Sequence, residues 1–177
     1  MQQNDYFVVS IYEGVMYMPN GPRPLVDGAC YHIIVRGNNR QEIFRSNKDY
    51  EKYLSLLKHY KRKYKFKIFC YCLMPNHIHS VIDPENSKIL SKAMNAMQRA
   101  YTGHFNTKYE RVGHLWQGRF KSKIIVKDDY LIECINYIEL NPVRAGMVRA
   151  PHEYPWSSYT ARVLHKENDI LDEIDVI

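Results

Sequence analysis

The chain has 177 residues, 45% of them hydrophobic and 25% charged, the balance of a soluble globular domain large enough to build its own core. No apolar run approaches the roughly 18 residues of a membrane-spanning helix, and Met1–Asp5 is not a basic region leading into an apolar stretch, so no membrane anchor or secretory leader is expected and the cytoplasm is the default location. The net charge of +6 is unevenly spread: residues 165–177 set Lys166 against Glu167, Asp169, Asp172, Glu173 and Asp175 and carry −4, leaving +10 on the preceding body, which points to a polyanionic partner, most simply nucleic acid.

In chain order, residues 1–27 form an N-terminal extension. Phe7–Tyr12 has the composition of a strand, but Pro19, Pro22 and Pro24 then interrupt regular structure. Ala29–Val35, rich in β-branched and aromatic residues, reads as the first core strand. It runs into Arg36-Gly37-Asn38-Asn39-Arg40, a turn in which Gly and Asn tolerate positive φ. Two guanidinium groups accompany the backbone N–H groups there, a combination suited to a phosphate backbone and equally consistent with an ordinary polar turn. Ser46 is placed to cap a helix with Asp49 three residues on. Tyr50, Tyr53, Leu54 and Leu57 then keep the helical period to about Tyr64. The end of that helix interleaves Lys58, Lys61, Arg62, Lys63, Lys65 and Lys67 with Tyr60, Tyr64 and Phe66. That pattern suits the helix dipole and equally suits single-stranded nucleic acid.

Phe66–Leu73 is apolar on both faces and reads as a central strand. Pro75-Asn76 makes a tight connection to His77–Ile82, which should pair with it antiparallel. Side chains alternate along a strand, so His77 and His79 share a face. Two imidazoles on a rigid strand make half of a metal site, or a pair satisfied by hydrogen bonds; the residues alone leave both open. Cys70 and Cys72 read as small buried hydrophobes, and neither they nor Cys30 and Cys134 have a disulfide-like or Cys-x-x-Cys spacing. Ser87 is placed to cap a second helix, along which Leu90, Ala93, Met94, Met97, Tyr101 and Phe105 recur to about Lys108. Gly113–Phe120 is a loop and Lys121–Val126 a fourth strand.

Asp128 and Asp129 open a third helix, where negative charge favours the dipole. Leu131, Cys134, Ile135 and Ile138 form its apolar stripe, and Tyr130, Glu133, Tyr137 and Asn141 a second, polar face. Pro142 should push Asn141 out of the helical conformation at the last turn. The order β-α-β-β-α-β-α is that of an α+β layer, an antiparallel sheet with helices packed on one face. Tyr137 and Asn141, four residues apart, are neighbours. A phenol can act as a nucleophile and an amide oxygen can ligate a divalent ion. With fifteen tyrosines in the chain, position alone does not single out Tyr137.

Four blocks do. Tyr31-His32 with Arg36-Gly37-Asn38-Asn39-Arg40, Met74-Pro75-Asn76-His77-Ile78-His79, Gly113-His114-Leu115-Trp116-Gln117-Gly118-Arg119-Phe120-Lys121, and Tyr137-Ile138-Glu139-Leu140-Asn141-Pro142-Val143-Arg144-Ala145-Gly146 occur in this order over most of the chain. Together they resemble the REP-associated tyrosine transposases of the HUH single-tyrosine superfamily, and the closing Trp156-Ser157-Ser158-Tyr159 also resembles the family's end. The resemblance implies a ferredoxin-like or RRM-like fold, with residues 28–164 as one catalytic domain; residues 165–177, by their charge, are an acidic C-terminal tail, either solubilising or a disordered self-inhibiting segment. It implies that Tyr137 is the catalytic nucleophile and that His77 and His79 hold a divalent metal, Mg or Mn. Asn141 matches the third ligand position, which is Gln in insertion-sequence relatives. The implied activity is metal-dependent cutting and rejoining of single-stranded DNA at palindromic hairpins, through a 5′-phosphotyrosine intermediate, by a monomer or homodimer. Arg36, Arg40, Gln117, Arg119 and Lys121 are the DNA-contact candidates; Gln117 and Arg119 could equally brace the loop under the third helix. The alternative is a non-catalytic nucleic-acid-binding module on the same sheet, which the intact His77, His79, Tyr137 and Asn141 speak against. A zinc hydrolase is weakened by the lack of a helical His-Glu-x-x-His motif.

Overall fold

The β-branched and aromatic run Cys30–Arg36 (β1) pairs on one side with β3 (His77–Asp83), and β3 pairs with β2 (Lys67–Met74). On its other side β1 pairs with β4 (Lys121–Ile125), giving a four-stranded antiparallel sheet in the order β2-β3-β1-β4. This computed structural model describes residues 26–125 and 128–174; Phe7–Tyr12, Val126 and the side chains of Asp128 and Asp129 lie outside the described residues. Helix α1 (Asn47–Tyr64) links β1 to β2, and α2 (Ser87–Lys108) links β3 to β4. That is the β-α-β-β-α-β connectivity of a ferredoxin-like fold.

Local chemistry fixes where the helices begin. The Asp49 carboxylate accepts from the backbone N–H groups of Arg45 (2.8 Å) and Ser46 (2.9 Å), satisfying donors that the first turn of α1 cannot. At α2 the cap is Asn86, one residue before the Ser87 expected. Its Oδ1 accepts from the Lys88 N–H at 3.0 Å, while the Ser87 N–H goes to Asp27 Oδ1 at 2.8 Å. Asn86 keeps an extended backbone, which a cap requires and Ser87, already helical, does not have.

The two faces of the sheet carry separate cores. Tyr31, Ile33 and Val35 of β1, Ile68 and Leu73 of β2, and Ile78 and Ile82 of β3 pack against Tyr53 and Leu57 of α1 and Leu90, Met94, Met97, Tyr101 and Phe105 of α2. On the opposite face Cys70, Cys72, Met74 and Val81 pack against Leu131, Ile135 and Ile138 of helix α3 (Asp128–Glu139). The α+β, ferredoxin-like class therefore holds, with one amendment: α1 and α2 share a face and α3 covers the other. The reason lies in β2, buried on both faces, whose second set of apolar side chains needs a cover of its own.

β2 also corrects an expectation of order. It lies at the edge of the sheet, although its sequence reads as central. Its outer backbone groups are paired by the C-terminal segment instead: Leu73 N–H to the Trp156 carbonyl (2.9 Å), Ser158 N–H to the Tyr71 carbonyl (2.9 Å) and Asp172 N–H to the Ile68 carbonyl (2.8 Å). A buried edge without such partners would leave polar groups unpaired, at a cost of about 1–3 kcal/mol each. The acidic tail is therefore a docked element as far as it is described. Ile170 enters the core, Lys61 pairs with Asp172 at 2.6 Å, and Lys58 pairs with Asp169. All four cysteines are unbridged, Cys70 and Cys72 buried as apolar fillers. No described helix is long and apolar enough to cross a membrane.

Candidate active site

The histidine strand is positioned from its turn. The Pro75 carbonyl accepts from Ile43 N–H (2.8 Å) and Phe44 N–H (3.2 Å), and the Asn76 carbonyl accepts from Gly37 N–H (2.8 Å). These bonds hold the Arg36–Arg40 turn beside the start of β3. Gly37 is extended, with φ −63°, so its freedom of φ is not what the turn uses; the positive φ values fall on Asn39 (49°) and Arg40 (56°). The glycine serves a close approach. A Cβ there would collide with the Gln41 carbonyl oxygen and come within 2.9 Å of Ile43 Cγ2.

Cross-strand register places the site's side chains. Arg36 lies opposite His77, and Ile34 lies between His79 on β3 and Lys121 on β4; His32 lies opposite Lys123. Residues directly opposite in register share a face, so His77, His79, His32, Arg36, Lys121 and Lys123 all lie on the face that α3 covers. His77 is half-buried and His79 is 6% exposed, with ring centroids 4.9 Å apart. Burial first, then the neighbouring His32, His77, Arg36 and Lys123, pushes the His79 imidazole well below its usual titration range, so it is neutral near pH 7. A neutral imidazole is the form that ligates a metal.

Helix α3 runs over β2 and β3, with Tyr137 partly buried at the edge of its apolar stripe. The Arg144 guanidinium lies 4.5 Å from the Tyr137 ring centroid. Asn141 is not expelled from helical structure as Pro142 suggested. The chain breaks register at Leu140 and Asn141 opens a second short turn, α4 (Asn141–Arg144). Pro142 sits in the first turn of α4, where its missing N–H has no helical partner to lose. The Asn141 amide donates to the Ile138 carbonyl at 3.1 Å. Among the described residues no three His, Cys, Asp or Glu side chains gather into a metal-holding set. The pair His77 and His79 fits an ion only with an open shell completed by another kind of donor, for which the Asn141 amide oxygen has the right chemistry.

The other predicted residues converge on the sheet end that carries His77. Gln117 donates its N–H to the Arg36 carbonyl (2.9 Å), Asn38 donates to the Leu115 carbonyl (2.8 Å), and Trp116 bridges to Gly37. Leu115 and Phe120 are buried anchors of that loop, while Gln117, Arg119, Lys121 and Arg40 are exposed. The loop backbone thus braces the Arg36–Asn38 turn.

The model of the IS200-like transposase family matches residues 26–141, a span running from the strand before the arginine turn to Asn141. The chain belongs to that family. This tyrosine transposase is 28% identical over 154 residues to a provisionally assigned REP-associated tyrosine transposase of Haemophilus influenzae, covering 80% of this chain and 86% of that one. Over 100 residues it is 26% identical to the REP-associated tyrosine transposase of Escherichia coli, covering 56% and 58%. A solved REP-associated tyrosine transposase bound to a REP hairpin superposes with a TM-score of 0.67 at 19% identity, over 90% of this chain and 94% of the other. The fold is shared.

The transposase also contains neighbours of the site that sequence reasoning passed over. His32 is 3% exposed and hydrogen-bonds His79. Glu139, two residues past Tyr137, is 1% exposed and is held by Arg162 (Nη2 to Oε2, 2.6 Å) and Ser158 (Oγ to Oε1, 2.7 Å). A signal for Glu139 was present: it stands four residues after Ile135, on the buried stripe of α3, where a charge requires a partner. His32 gave no such sign, because nothing local identifies the strand that faces it.

Proposed function

We propose that this transposase cuts and rejoins single-stranded DNA beside hairpins through a covalent link to Tyr137. The observation that carries the reading is the placement of α3, with Tyr137, on the sheet face that bears His77 and His79. In the forward step the Tyr137 phenolic oxygen bonds to the scissile phosphorus and the bond to the 3′ oxygen breaks. The strand leaves with a 3′-hydroxyl, which takes up a proton, and the enzyme keeps a 5′-phosphotyrosine. The phenol loses its proton in this step; with a reference pKa of about 10 it is a weak nucleophile unless that loss is assisted. In the return step a 3′-hydroxyl attacks the phosphotyrosine and releases the phenol, so one phosphodiester is exchanged for another without ATP.

His77 and His79, with Asn141, would hold the divalent ion, Mg or Mn. When bound, that ion supplies charge stabilisation at the scissile phosphate oxygens. Arg36 and Lys121 flank the histidines in register and suit the flanking phosphates. The +10 charge of the body supports a nucleic-acid partner, and the solved relative bound to a hairpin supports a stem-loop as its form. The test is a denaturing gel of the protein with labelled single-stranded hairpin DNA, with and without manganese. A metal-dependent covalent band is expected, lost in Tyr137→Phe while DNA binding stays within about twofold of the parent. Retained cleavage in that variant would overturn the nucleophile assignment, and binding without any adduct across hairpins taken from around the gene would favour the non-catalytic module.

A further inference from the structure

Each neutral imidazole carries one proton on two nitrogens, and only the bare nitrogen can bind a metal. Which nitrogen is bare is decided by the bond the other one makes. For His77 the chain of bonds can be followed outward. Its Nδ1 lies 2.5 Å from Asn76 Oδ1, and the Asn76 Nδ2 donates to the Arg40 carbonyl at 3.2 Å. A carbonyl only accepts, so the Arg40 contact fixes which end of the Asn76 amide carries the hydrogens. Oδ1 is then the end facing His77 and must accept, which puts the His77 proton on Nδ1 and the lone pair on Nε2.

The same position on His79 is occupied by a different group. His79 Nδ1 lies 2.9 Å from His32 Nε2, with the rings 5.1 Å apart, and both residues are buried. Here the contact alone permits two arrangements. If His32 donated, the His79 proton would sit on Nε2 and that nitrogen could not ligate. If His79 donates from Nδ1, its lone pair is on Nε2, matching His77.

We infer that His32 and Asn76 are positioning residues that hold His79 and His77 in the same Nδ1–H tautomer, leaving Nε2 of each as the metal-binding atom. The inference rests on the reading of His77 and His79 as metal ligands. It explains why the histidine buried in β1 faces His79 with a ring nitrogen. It also gives the Arg36–Arg40 turn a second role, because through the Arg40 carbonyl it orients an amide behind the site.

The test has a spectroscopic arm and a binding arm, both on the full chain. Long-range 1H–15N correlation spectra of the metal-free protein at pH 8, with histidine labelled in 15N, report which nitrogen of each ring carries the proton. Both His77 and His79 are expected as Nδ1–H; a proton on Nε2 of His79 overturns the inference. In the binding arm, titration with Mn2+ alone is expected to show about 10- to 100-fold weaker binding for His32→Leu and for Asn76→Ala. His32→Gln, whose amide oxygen can accept from His79, should stay within about threefold of the parent. Equal affinity in His32→Leu and the parent overturns the inference. His77→Ala serves as the control for the site itself. If the parent binds Mn2+ no better than that variant, the metal reading fails, while the spectra still decide the tautomers and need no variant to fold.

Discussion

Replacing Arg162 by Met should destabilise the protein by stranding the buried Glu139 carboxylate. Glu139 is 1% exposed, and its carboxylate accepts from Arg162 Nε at 3.2 and 3.1 Å, from Arg162 Nη2 at 2.6 Å and from Ser158 Oγ at 2.7 Å. Arg162→Met removes the cation and leaves a buried carboxylate with one hydroxyl. Breaking a buried pair in this way costs about 3–5 kcal/mol. The Arg162 side chain is 23% exposed, so water can reach part of the vacated space, and the expected loss is at the lower end, about 3 kcal/mol. For a chain of this size that lowers Tm by about 6–12 °C. Urea unfolding followed by circular dichroism measures it directly. The double variant Glu139→Leu/Arg162→Met should recover at least half of the loss, because no charge is stranded and the Ser158 hydroxyl can turn its single proton to the Tyr71 carbonyl, 3.2 Å away. A loss below about 1 kcal/mol in Arg162→Met, or a double variant worse than the sum of the single ones, would refute the argument.

Gly37→Ala should cost about 1–3 kcal/mol by urea unfolding, because the added methyl meets the Gln41 carbonyl oxygen and Ile43; an unchanged midpoint would show that the turn yields without strain. Asp172→Ala should cost about 1–3 kcal/mol, since it strands the N–H of the fully buried Ile68 (2.8 Å to Asp172 Oδ2) and leaves Lys61 only the Ile170 carbonyl (2.9 Å). The same loss in 1 M salt would show that the backbone bond outweighs the ion pair. Stability of the metal-free protein should also fall on mild acidification. Burial, and secondarily Lys123, holds the His32 pKa at about 3 against 6.5 in the unfolded chain. The unfolded state therefore binds a proton that the native state refuses, so this contribution is complete above pH 6.5 and is lost as pH falls toward 3. His79, which faces His32 together with His77, Arg36 and Lys123, has its own pKa lowered, by burial first and then by these neighbours, and adds to the trend. Between pH 7 and 5 the loss from His32 is about 2 kcal/mol, and unfolding curves of His32→Gln should be flatter by that amount; parallel curves would contradict it.

The sequence by itself determined the parts that local chemistry dictates. Strand periodicity put His77 and His79 on one face. The helical period of α3 separated its apolar stripe from a face carrying Tyr137, which the structure shows partly buried against the core, and the alternation of strands with amphipathic helices specified an α+β sheet with helices against it. Four short blocks carried the family. The tertiary structure alone decided which elements meet. β2 reads as central because it is apolar on both faces, yet it lies at an edge. What completes it is a C-terminal segment far downstream in the chain, a pairing no local pattern encodes. The second helix layer follows from the same surplus of apolar surface. Gly37 was legible as a turn residue, but its reason, a close backbone approach, depends on Gln41 and Ile43 folding over it. His32 and Asn76 acquire meaning only once register sets β1 beside β3 and the hairpin turn beside Arg40. A hydrogen bond across strands is a fact of three-dimensional proximity, and proximity between residues 47 positions apart, as for His32 and His79, is written in the fold rather than in either residue's neighbours.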